Sequence, residues 1–443
     1  MKTYPFLKFR NHLLVTTIFI LTIGLNTSFL VAQNSPNDLE QDVTYNQYKG
    51  QIIDNITKKP LAFANLSLVE TNITTVTNTE GEFVLKVPIQ INEGRIEISF
   101  LGYESKIISL KTLMETKNNI TLEASATELG EVNIETLKNP RDLIIETLKK
   151  KGENYLDDQI LMTAFYRETI KKRNKSVSLS EAIVNIYKAS YTSSKKDDLK
   201  LYKSRKSTDY KKLDTLVLKL QGGPFNTIFL DIMKYPEYIF TEASLNNYNF
   251  NLDRSTKINN RLVYVINFEQ NEYAEGSLYK GQLFMDAEKK ILTSAIYSLN
   301  ISNKKEAAKI LVRKKPAHAD VWPTDIAYRV DYLEKDNKWY YGYSNLLLEF
   351  KVNWDHKLFN STYTLGCEMA VTDWEKNIDK DIPKFKERIH PSIIMNDEAM
   401  GFSDPDFWGA YNIIEPDKSI DSAIKKIQKQ LKKAKANGTA LTN

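Results

Sequence analysis

The stretch TNTEGEFVLKV (residues 77–87) joins a polar turn to a short strand with a regular apolar pattern. The asparagine and the glycine of the Asn78–Gly81 turn suit the positive φ angles of tight turns. After this turn, Phe83, Leu85 and Val87 alternate with the residues between them. A period of two puts one side of a strand into a core and the other side toward water. The stretch therefore predicts a strand with one buried face, entered through a tight turn.

The same alternation recurs on both sides of this stretch, within residues 48–122. Apolar side chains occupy every second position at Ala64, Leu66 and Leu68, and again at Ile96, Ile98 and Phe100. Polar turn segments separate these runs, for example at 54–60 and 92–94. Short strands punctuated in this way are typical of a small β-sandwich.

Several strings of this region resemble the carboxypeptidase regulatory-like domain, and they occur in the order found in that family. They are GQIID (50–54), TKKPL (57–61), ANL (64–66), TNTEGEF (77–83) and ISFLGY (98–103). The resemblance implies a transthyretin-like sandwich of seven strands, found at the front of exported and outer-membrane proteins of the Bacteroidetes. In the peptidases that lend the family its name, this domain is an accessory and not the catalytic unit, so the resemblance implies no catalysis.

The next large region, residues 159–415, also reads mainly as strands joined by short polar turns. The predicted strands are 161–170, 177–189, 216–220, 262–268, 281–285, 291–299, 326–333, 339–350 and 359–371. Residues 191–213 are rich in charge and are predicted to form an exposed edge or a loop. Long strands with few helices favour one large, strongly curved antiparallel sheet. The predicted fold class is mainly β: an N-terminal transthyretin-like β-sandwich followed by a larger curved antiparallel β-sheet domain with a few helices.

The remaining segments complete the predicted organisation. Residues 123–158 are interpreted as a linker and a helix, which begins at Asn139-Pro140 and ends at Gly152. Near the C-terminus, Phe407 and Trp408 are predicted to fill an apolar gap, and residues 416–438 are predicted to form an amphipathic helix. This ending, together with the string AFYRE (164–168), resembles the C-terminal part of Bacteroidetes proteins that carry the same N-terminal domain. That resemblance implies no activity.

The first 32 residues predict the compartment. Basic residues precede a short apolar run, LLVTTIFILTIGL (13–25), and a small residue follows at Ala32. This order is typical of a secretory signal peptide. The run is short for a membrane span, which needs about 20 residues, so we favour cleavage over a retained anchor. We expect an exported protein of the periplasm or one associated with the outer membrane.

The composition excludes several classes of protein. The chain holds 61 Lys and Arg against 56 Asp and Glu, which is not the basic excess of a nucleic-acid-binding protein. A single cysteine, Cys367, cannot form an intramolecular disulfide framework or a multi-thiolate metal site. The four histidines lack the spacing of a zinc peptidase. We therefore expect no cofactor, no metal and no nucleic-acid partner.

Two isolated residues are candidates for catalysis. Cys367 lies in a strand-like stretch and is interpreted as a small buried apolar residue, not as a nucleophile. Glu168, beside Arg167, could serve as an acid or base, but an ion pair on the wet face or at the sheet rim is favoured. No G-x-S-x-G motif is present. We therefore expect that the protein is not an enzyme.

Two groups of residues are candidates for contact with a ligand or a membrane. Trp339, Tyr341 and Tyr343 are predicted to share one face of a strand, either as a stacking surface for a ligand or as part of the core. The lysines of the last predicted helix could contact an anionic membrane or a partner, or remain solvated while the helix docks on the domain. Those lysines are Lys425, Lys429, Lys432 and Lys433.

These observations favour an exported, non-catalytic binding or assembly protein of the cell envelope. The expected partner is an envelope protein, a glycan or a lipid, with peripheral membrane contact through the C-terminal helix as a further option. The alternative is a periplasmic carrier of lipophilic cargo, in which the β domain forms a half-barrel. A hydrolase without the usual motifs is a third hypothesis, which would require clustered His, Asp or Glu side chains in one pocket.

Overall fold

The computed structural model describes residues 44–125, 139–173, 175–208, 222–241, 243–258, 261–276, 278–311, 318–355, 358–401 and 407–416. Its first part is a sandwich of two small sheets, with strand orders β4-β1-β7 and β3-β2-β5-β6. The strands are β1 (Tyr45–Asp54), β2 (Asn65–Leu68), β3 (Thr74–Val76), β4 (Glu82–Pro88), β5 (Arg95–Ser99), β6 (Lys106–Ser109) and β7 (Asn118–Leu122). The sequence prediction of a seven-stranded sandwich is confirmed.

The turn at 78–81 shows why this part of the sequence folds as predicted. The Asn78 carboxamide oxygen accepts hydrogen bonds from the backbone N–H groups of Glu80 and Glu82, at 3.0 and 2.9 Å. Gly81 has a φ of +73°, and a Cβ atom there would lie 2.5 Å from the carbonyl oxygen of Ile52. Only glycine fits such a position. The turn delivers Phe83 directly into the sandwich core, where it is buried.

The second part is one sheet of eleven strands, in the order β11-β12-β13-β14-β15-β16-β17-β8-β9-β10-β18. Its strands are β8 (Ile160–Lys172), β9 (Lys175–Lys188), β10 (Asp198–Thr208), β11 (Tyr248–Ile258), β12 (Arg261–Gln270), β13 (Tyr279–Asp286), β14 (Ile291–Leu299), β15 (Ala319–Lys335), β16 (Lys338–Trp354), β17 (Ser361–Lys376) and β18 (Met400–Gly401). Except for the two-residue β18, neighbouring strands are antiparallel. Strand β11 ends the sheet on one side, with β12 as its one strand partner among the described residues.

Helices are short and few in the described part of the chain. They are α1 (Pro140–Lys149), α2 (Lys151–Asn154), α3 (Phe225–Ile228), α4 (Lys304–Leu311) and α5 (Met395–Glu398), with single 3₁₀ turns at 110–112, 236–238, 244–247 and 385–387. As predicted, α1 begins after Asn139, whose side chain accepts a hydrogen bond from the N–H of Arg141 at 3.1 Å. The predicted end at Gly152 is wrong, because Gly152 lies inside the helical turn α2.

Strand prediction worked best where apolar and polar residues alternate. Strand β14 has the predicted bounds, whereas β15 and β16 extend several residues beyond them. Residues 198–208, in the segment predicted as an edge or a loop, form strand β10, whose outer neighbour is the two-residue β18. Strand β11 was not predicted. The predicted strand 216–220 lies outside the described residues.

One face of the large sheet is covered by residues 222–241 and 243–248, which we call the plug. Its apolar side chains pack in one buried cluster with Tyr166, Cys367 and Met369 of the sheet. The plug side chains buried in that cluster include Phe225, Ile228, Ile232, Met233 and Phe240. We call this side of the sheet the plug face.

The N-terminal sandwich covers part of the opposite side, which we call the sandwich face. Phe63 of the sandwich stacks on Tyr343 of β16, with ring centroids 5.1 Å apart. Core residues of the sandwich and of this sheet face belong to one buried cluster. The sandwich and the sheet therefore share a core.

Residues 407–416 run between the sandwich and the sheet. The Asn412 side chain accepts a hydrogen bond from the backbone N–H of Lys86 at 2.7 Å and donates one to its carbonyl oxygen at 3.1 Å. Trp408 is 3% exposed and meets Phe165 of β8 edge-to-face, with centroids 5.5 Å apart. For Trp408, the predicted role in filling an apolar gap is confirmed.

Candidate functional site

The three aromatic candidates on β16 do not lie on one face. Register places Tyr343 opposite Asp331 but Tyr341 opposite Tyr332, so Gly342 is an extra residue in a β-bulge. A bulge reverses the alternation of side chains. Trp339 and Tyr341 therefore pack in the plug-face cluster, and Tyr343 packs with the sandwich. The prediction of a shared face is wrong.

All three aromatic side chains are buried. Trp339, Tyr341 and Tyr343 are 8%, 0% and 3% exposed. The Tyr341 hydroxyl lies 2.6 Å from the Ser344 hydroxyl, and the Tyr343 hydroxyl donates to Glu368 at 3.3 Å. This placement is that of core residues, and their role as ligand contacts stays a prediction.

Glu168 does not form the expected ion pair on a wet face. It is 3% exposed on the plug face, and its carboxylate accepts a hydrogen bond from the Tyr166 hydroxyl at 3.1 Å. Burial raises its pKa to about 7, because the hydrogen bond from Tyr166, which lowers the pKa, offsets only part of the effect of burial. The prediction of an ion pair was wrong because the plug covers this face of the sheet. Alternation of side chains along β8 indicates a solvent-exposed face and gives no sign of the plug.

Arg167, the preceding residue, points to the sandwich face and makes the ion pairs instead. Its guanidinium lies 2.8 Å from a carboxylate oxygen of Glu181 and 3.0 Å from one of Glu368. It also donates to the backbone carbonyls of Ile414 and Glu415. This buried network fastens the C-terminal segment to the sheet, and is a structural arrangement.

A second buried ionic group fastens the plug. The Lys188 ammonium lies 2.8 Å from Asp197 and 2.7 Å from Asp231, and Asp231 also accepts a hydrogen bond from the Tyr332 hydroxyl at 3.0 Å. Burial by itself lowers the pKa of Lys188, but the two carboxylates outweigh it, so the pKa is raised. Lys188 therefore stays charged and paired.

The remaining predicted residues do not assemble into a reactive centre. Cys367 is buried as expected, and burial raises the pKa of its thiol. Lys425, Lys429, Lys432 and Lys433 lie outside the described residues. Within the ranges that the structure describes, no group of three or more His, Cys, Asp or Glu side chains could hold a metal ion.

A polar groove lies on the sandwich face near the β11 edge of the sheet, beyond the part that the sandwich covers. Its volume is about 420 Å³, and strands β11 to β14 form its floor. Asn251, Asn267 and Gln282 stand side by side across three strands, and we call them the carboxamide row. The Gln282 amide donates to the Asn267 side chain at 3.0 Å.

A second row of polar residues lies two positions further along the same strands. Asn249, Glu269, Lys280 and Ser298 stand opposite one another in register. Val265 and Phe284 lie two positions from the carboxamide row on the side opposite the charged row, and both are buried in the sandwich core cluster. The groove is therefore bounded by the docked sandwich on one side and is open to solvent at the charged row.

The chemistry of the groove is that of hydrogen bonding. A carboxamide donates through its NH₂ and accepts through its carbonyl, so a row of three can bind amides or hydroxyls of a ligand. The only charged residues in the lining are Glu269 and Lys280, which oppose each other. Sequence reasoning missed this groove because β11 was not predicted, although Asn249 and Asn251 show the period-two spacing that could have indicated it.

A sandwich domain docked on a large antiparallel sheet defines the class of molecule: a β protein with an accessory N-terminal module. Residues 48–134 match the family model of the CarboxypepD_reg-like domain. The chain therefore contains a carboxypeptidase regulatory-like domain, as the sequence predicted. No curated protein matches the chain. Among the described residues, no helix has the length and apolar character needed to cross a membrane.

Solved structures give only distant likenesses. A putative outer-membrane lipoprotein-sorting protein domain from Vibrio parahaemolyticus is 12% identical, with 54% of this chain and 93% of that chain covered and a TM-score of 0.24. A DUF1329 family protein from Desulfovibrio piger is 9% identical, with 54% and 92% covered and a TM-score of 0.21. Likenesses of this strength carry no argument about function.

Proposed function

We propose that the protein is an exported, non-catalytic binding protein of the cell envelope that takes an extended polar ligand at the β11 edge of its large sheet. The observation that carries the proposal is the carboxamide row, which begins on the terminal strand β11. A polypeptide strand fits this site best, because it can pair with the backbone of an edge strand and present side chains to the adjoining groove.

The geometry of β11 supports this mode of binding. Its register with β12 has a bulge between Leu252 and Arg254, and bulges are a common device at sheet edges. Helix α1 and the apolar side of β11 pack within the plug-face cluster. An added strand would place alternate side chains beside Asn249 and Asn251, at the ends of the two polar rows.

The lining favours binding over catalysis. Acid–base or nucleophilic chemistry needs a base within hydrogen-bond reach of the group it activates. The lining offers three carboxamides, one hydroxyl and one opposed pair of charges. The buried Glu168 and Cys367 lie on the other side of the sheet, under the plug.

Carriage of lipophilic cargo has less support. A carrier needs an apolar cavity, and the plug occupies the plug face with its own apolar side chains. Releasing the plug would separate the buried Lys188 and Asp231, and breaking such a pair costs about 3–5 kcal/mol.

Site-specific photo-crosslinking in the envelope tests the proposal. A photoreactive p-benzoylphenylalanine replaces Asn251 in the groove, and a matched control replaces Ile107, which is 57% exposed on β6 at the edge of a sandwich sheet. We expect a polypeptide adduct from position 251 and not from position 107.

A second variant, Asn267→Leu with Gln282→Leu, removes the carboxamides while leaving the edge strand intact. We expect it to reduce the adduct from position 251, provided that circular dichroism shows an unchanged fold. A glycan or lipid adduct would contradict the proposed polypeptide, and equal adducts at 251 and 107 would contradict the proposed site.

A further inference from the structure

The turn between β16 and β17 exposes two large apolar side chains next to each other. Leu358 is 96% exposed and Phe359 is 77% exposed. Single exposed apolar residues are ordinary on protein surfaces. An adjacent leucine and phenylalanine at the end of two of the longest strands of the sheet form a small apolar projection, which we call the tip.

Cationic side chains surround the base of the tip. Lys351 stands opposite Thr362, and the backbone N–H of Arg173 donates to the carbonyl oxygen of Thr362 at 3.1 Å. Lys172 stands opposite Tyr363, with its ammonium 5.8 Å from the centre of that ring. The β8–β9 turn therefore brings positive charge beside the first residues of β17.

A tryptophan and two acids complete the surroundings. Trp322 on β15 is partly exposed and stands opposite Lys351. Asp355 lies 3.7 Å from the exposed imidazole of His318, and Asp320 stands opposite Asn353. Aromatic residues with one apolar and one polar end favour the boundary between lipid and water.

We propose that this tip docks on the surface of an anionic lipid bilayer. Leu358 and Phe359 enter the interfacial region, and Lys172, Arg173 and Lys351 contact the headgroup phosphates. Apolar burial and attraction to anionic lipids together drive such peripheral binding. This surface is distinct from the proposed ligand groove.

A second exposed apolar segment serves as the matched control. Ile378 and Phe385 are 83% and 76% exposed after the end of β17, whereas the tip precedes its start. Acidic and basic residues are nearly balanced there, with Asp379, Asp381 and Glu387 against Lys380, Lys384, Lys386 and Arg388. The charged residues named around the tip have the same small positive excess, so the control differs from the tip in that its two apolar side chains are seven positions apart and not adjacent.

The first measurement uses the full chain labelled with an environment-sensitive fluorophore. Leu358→Cys is labelled at the tip, and Ile378→Cys is labelled in the control segment. The native Cys367 is 1% exposed, so it does not compete for the label. On adding vesicles of equimolar phosphatidylcholine and phosphatidylglycerol, we expect a blue-shifted and stronger emission from position 358 but not from 378. An equal response at both positions, or none at 358, would overturn the proposal.

The second measurement is sedimentation with the same vesicles. We expect Leu358→Ser with Phe359→Ser to lower the partition constant by about tenfold or more, and Ile378→Ser with Phe385→Ser to leave it unchanged. Because the tip side chains are exposed, both double variants should keep the wild-type melting temperature. If the tip variant partitions like the wild type, another segment binds the membrane and the tip does not.

Discussion

At the scale of single residues, the two neighbours Arg167 and Glu168 show how position relative to a sheet decides what a charge does. Arg167 is buried with two carboxylates, whereas Glu168 is buried with one hydroxyl partner among the residues that the structure describes. A paired buried charge holds structure together. A lone buried carboxyl instead shifts its pKa toward the neutral form.

The pKa of Glu168 predicts how the stability of the protein depends on pH. Its folded pKa is about 7, above the ordinary value of 4.5 for a glutamate. Between these two values the unfolded chain has released a proton that the folded protein still holds, so this group lowers stability as pH rises. We compare the free energy of unfolding of Glu168→Gln with that of the wild type. We expect this difference to be about 3 kcal/mol more in favour of the variant at about pH 8 than at about pH 4. Urea unfolding at both pH values measures this.

The control for that experiment is Glu375→Gln, which changes an exposed carboxylate on the same sheet. It should leave the difference between the two pH values close to that of the wild type. If the change in stability between the two pH values is the same in Glu168→Gln as in Glu375→Gln, then Glu168 is not a buried acid with a raised pKa.

The Arg167 network predicts a large loss on truncation. Arg167→Met removes the cation that the buried carboxylates of Glu181 and Glu368 share, while Glu181 keeps its ion pair with Arg205. We expect the free energy of unfolding to fall by about 3–5 kcal/mol. Lys49→Met removes an exposed ion pair to Glu415 and should cost at most about 1 kcal/mol. Similar losses for the two variants would show that the buried network does not hold the C-terminal segment.

At the scale of elements, alternation of side chains predicted the strands whose two faces differ in polarity. Strand β14 is an example, and its bounds were predicted correctly. Strand β10 was not predicted because positions on its sandwich face are charged. Arg205, for example, pairs with Glu181 and lies over the Trp408 ring. The charged residues of β10 are typical of a solvent-exposed segment, and the buried residues that they contact are distant in sequence.

The candidate site was less predictable than the strands. The bulge at Gly342 moves Tyr343 to the opposite face, and a one-residue shift of this kind has no signature in a period-two pattern. The carboxamide row depends on the register of three strands, one of which was not predicted. Local alternation can show that a strand exists, but register across a sheet depends on contacts far apart in the chain.

The plug provides a prediction at this scale. Asp231→Asn removes one of the two carboxylates that hold Lys188 and weakens the attachment of the plug. We expect faster amide hydrogen exchange over residues 225–235, measured by mass spectrometry, with a loss of about 3 kcal/mol in protection. Tyr332→Phe removes the hydrogen bond to Asp231 and the one that the Tyr332 hydroxyl accepts from the Met233 N–H, and should cost about 1 kcal/mol for each bond. Unchanged exchange in Asp231→Asn would mean that apolar packing alone retains the plug.

At the scale of the whole molecule, the shared core couples the regulatory-like domain to the large sheet. Phe63 stacks on Tyr343, and the Arg329 guanidinium lies 5.7 Å from the Phe63 ring. Asn412 bridges to Lys86 from the C-terminal segment. A domain attached through a continuous apolar cluster, unlike one on a flexible linker, is expected to unfold together with its neighbour.

The distribution of tryptophans makes this coupling measurable. All five lie between residues 322 and 408, outside the sandwich. Four of them are in strands β15 to β17 and one, Trp408, is in the segment beside the sandwich, so tryptophan fluorescence reports mainly on the sheet. Ile98→Ala creates a cavity in the sandwich core, where Ile98 is fully buried, and should cost about 2–5 kcal/mol. If the two parts unfold together, the urea transition seen by fluorescence shifts by that full amount and coincides with the one seen by circular dichroism. A different outcome would contradict this: the fluorescence transition stays at its wild-type midpoint while circular dichroism resolves an earlier step. The sandwich would then unfold independently, and the shared cluster would not join the two parts into one cooperative unit.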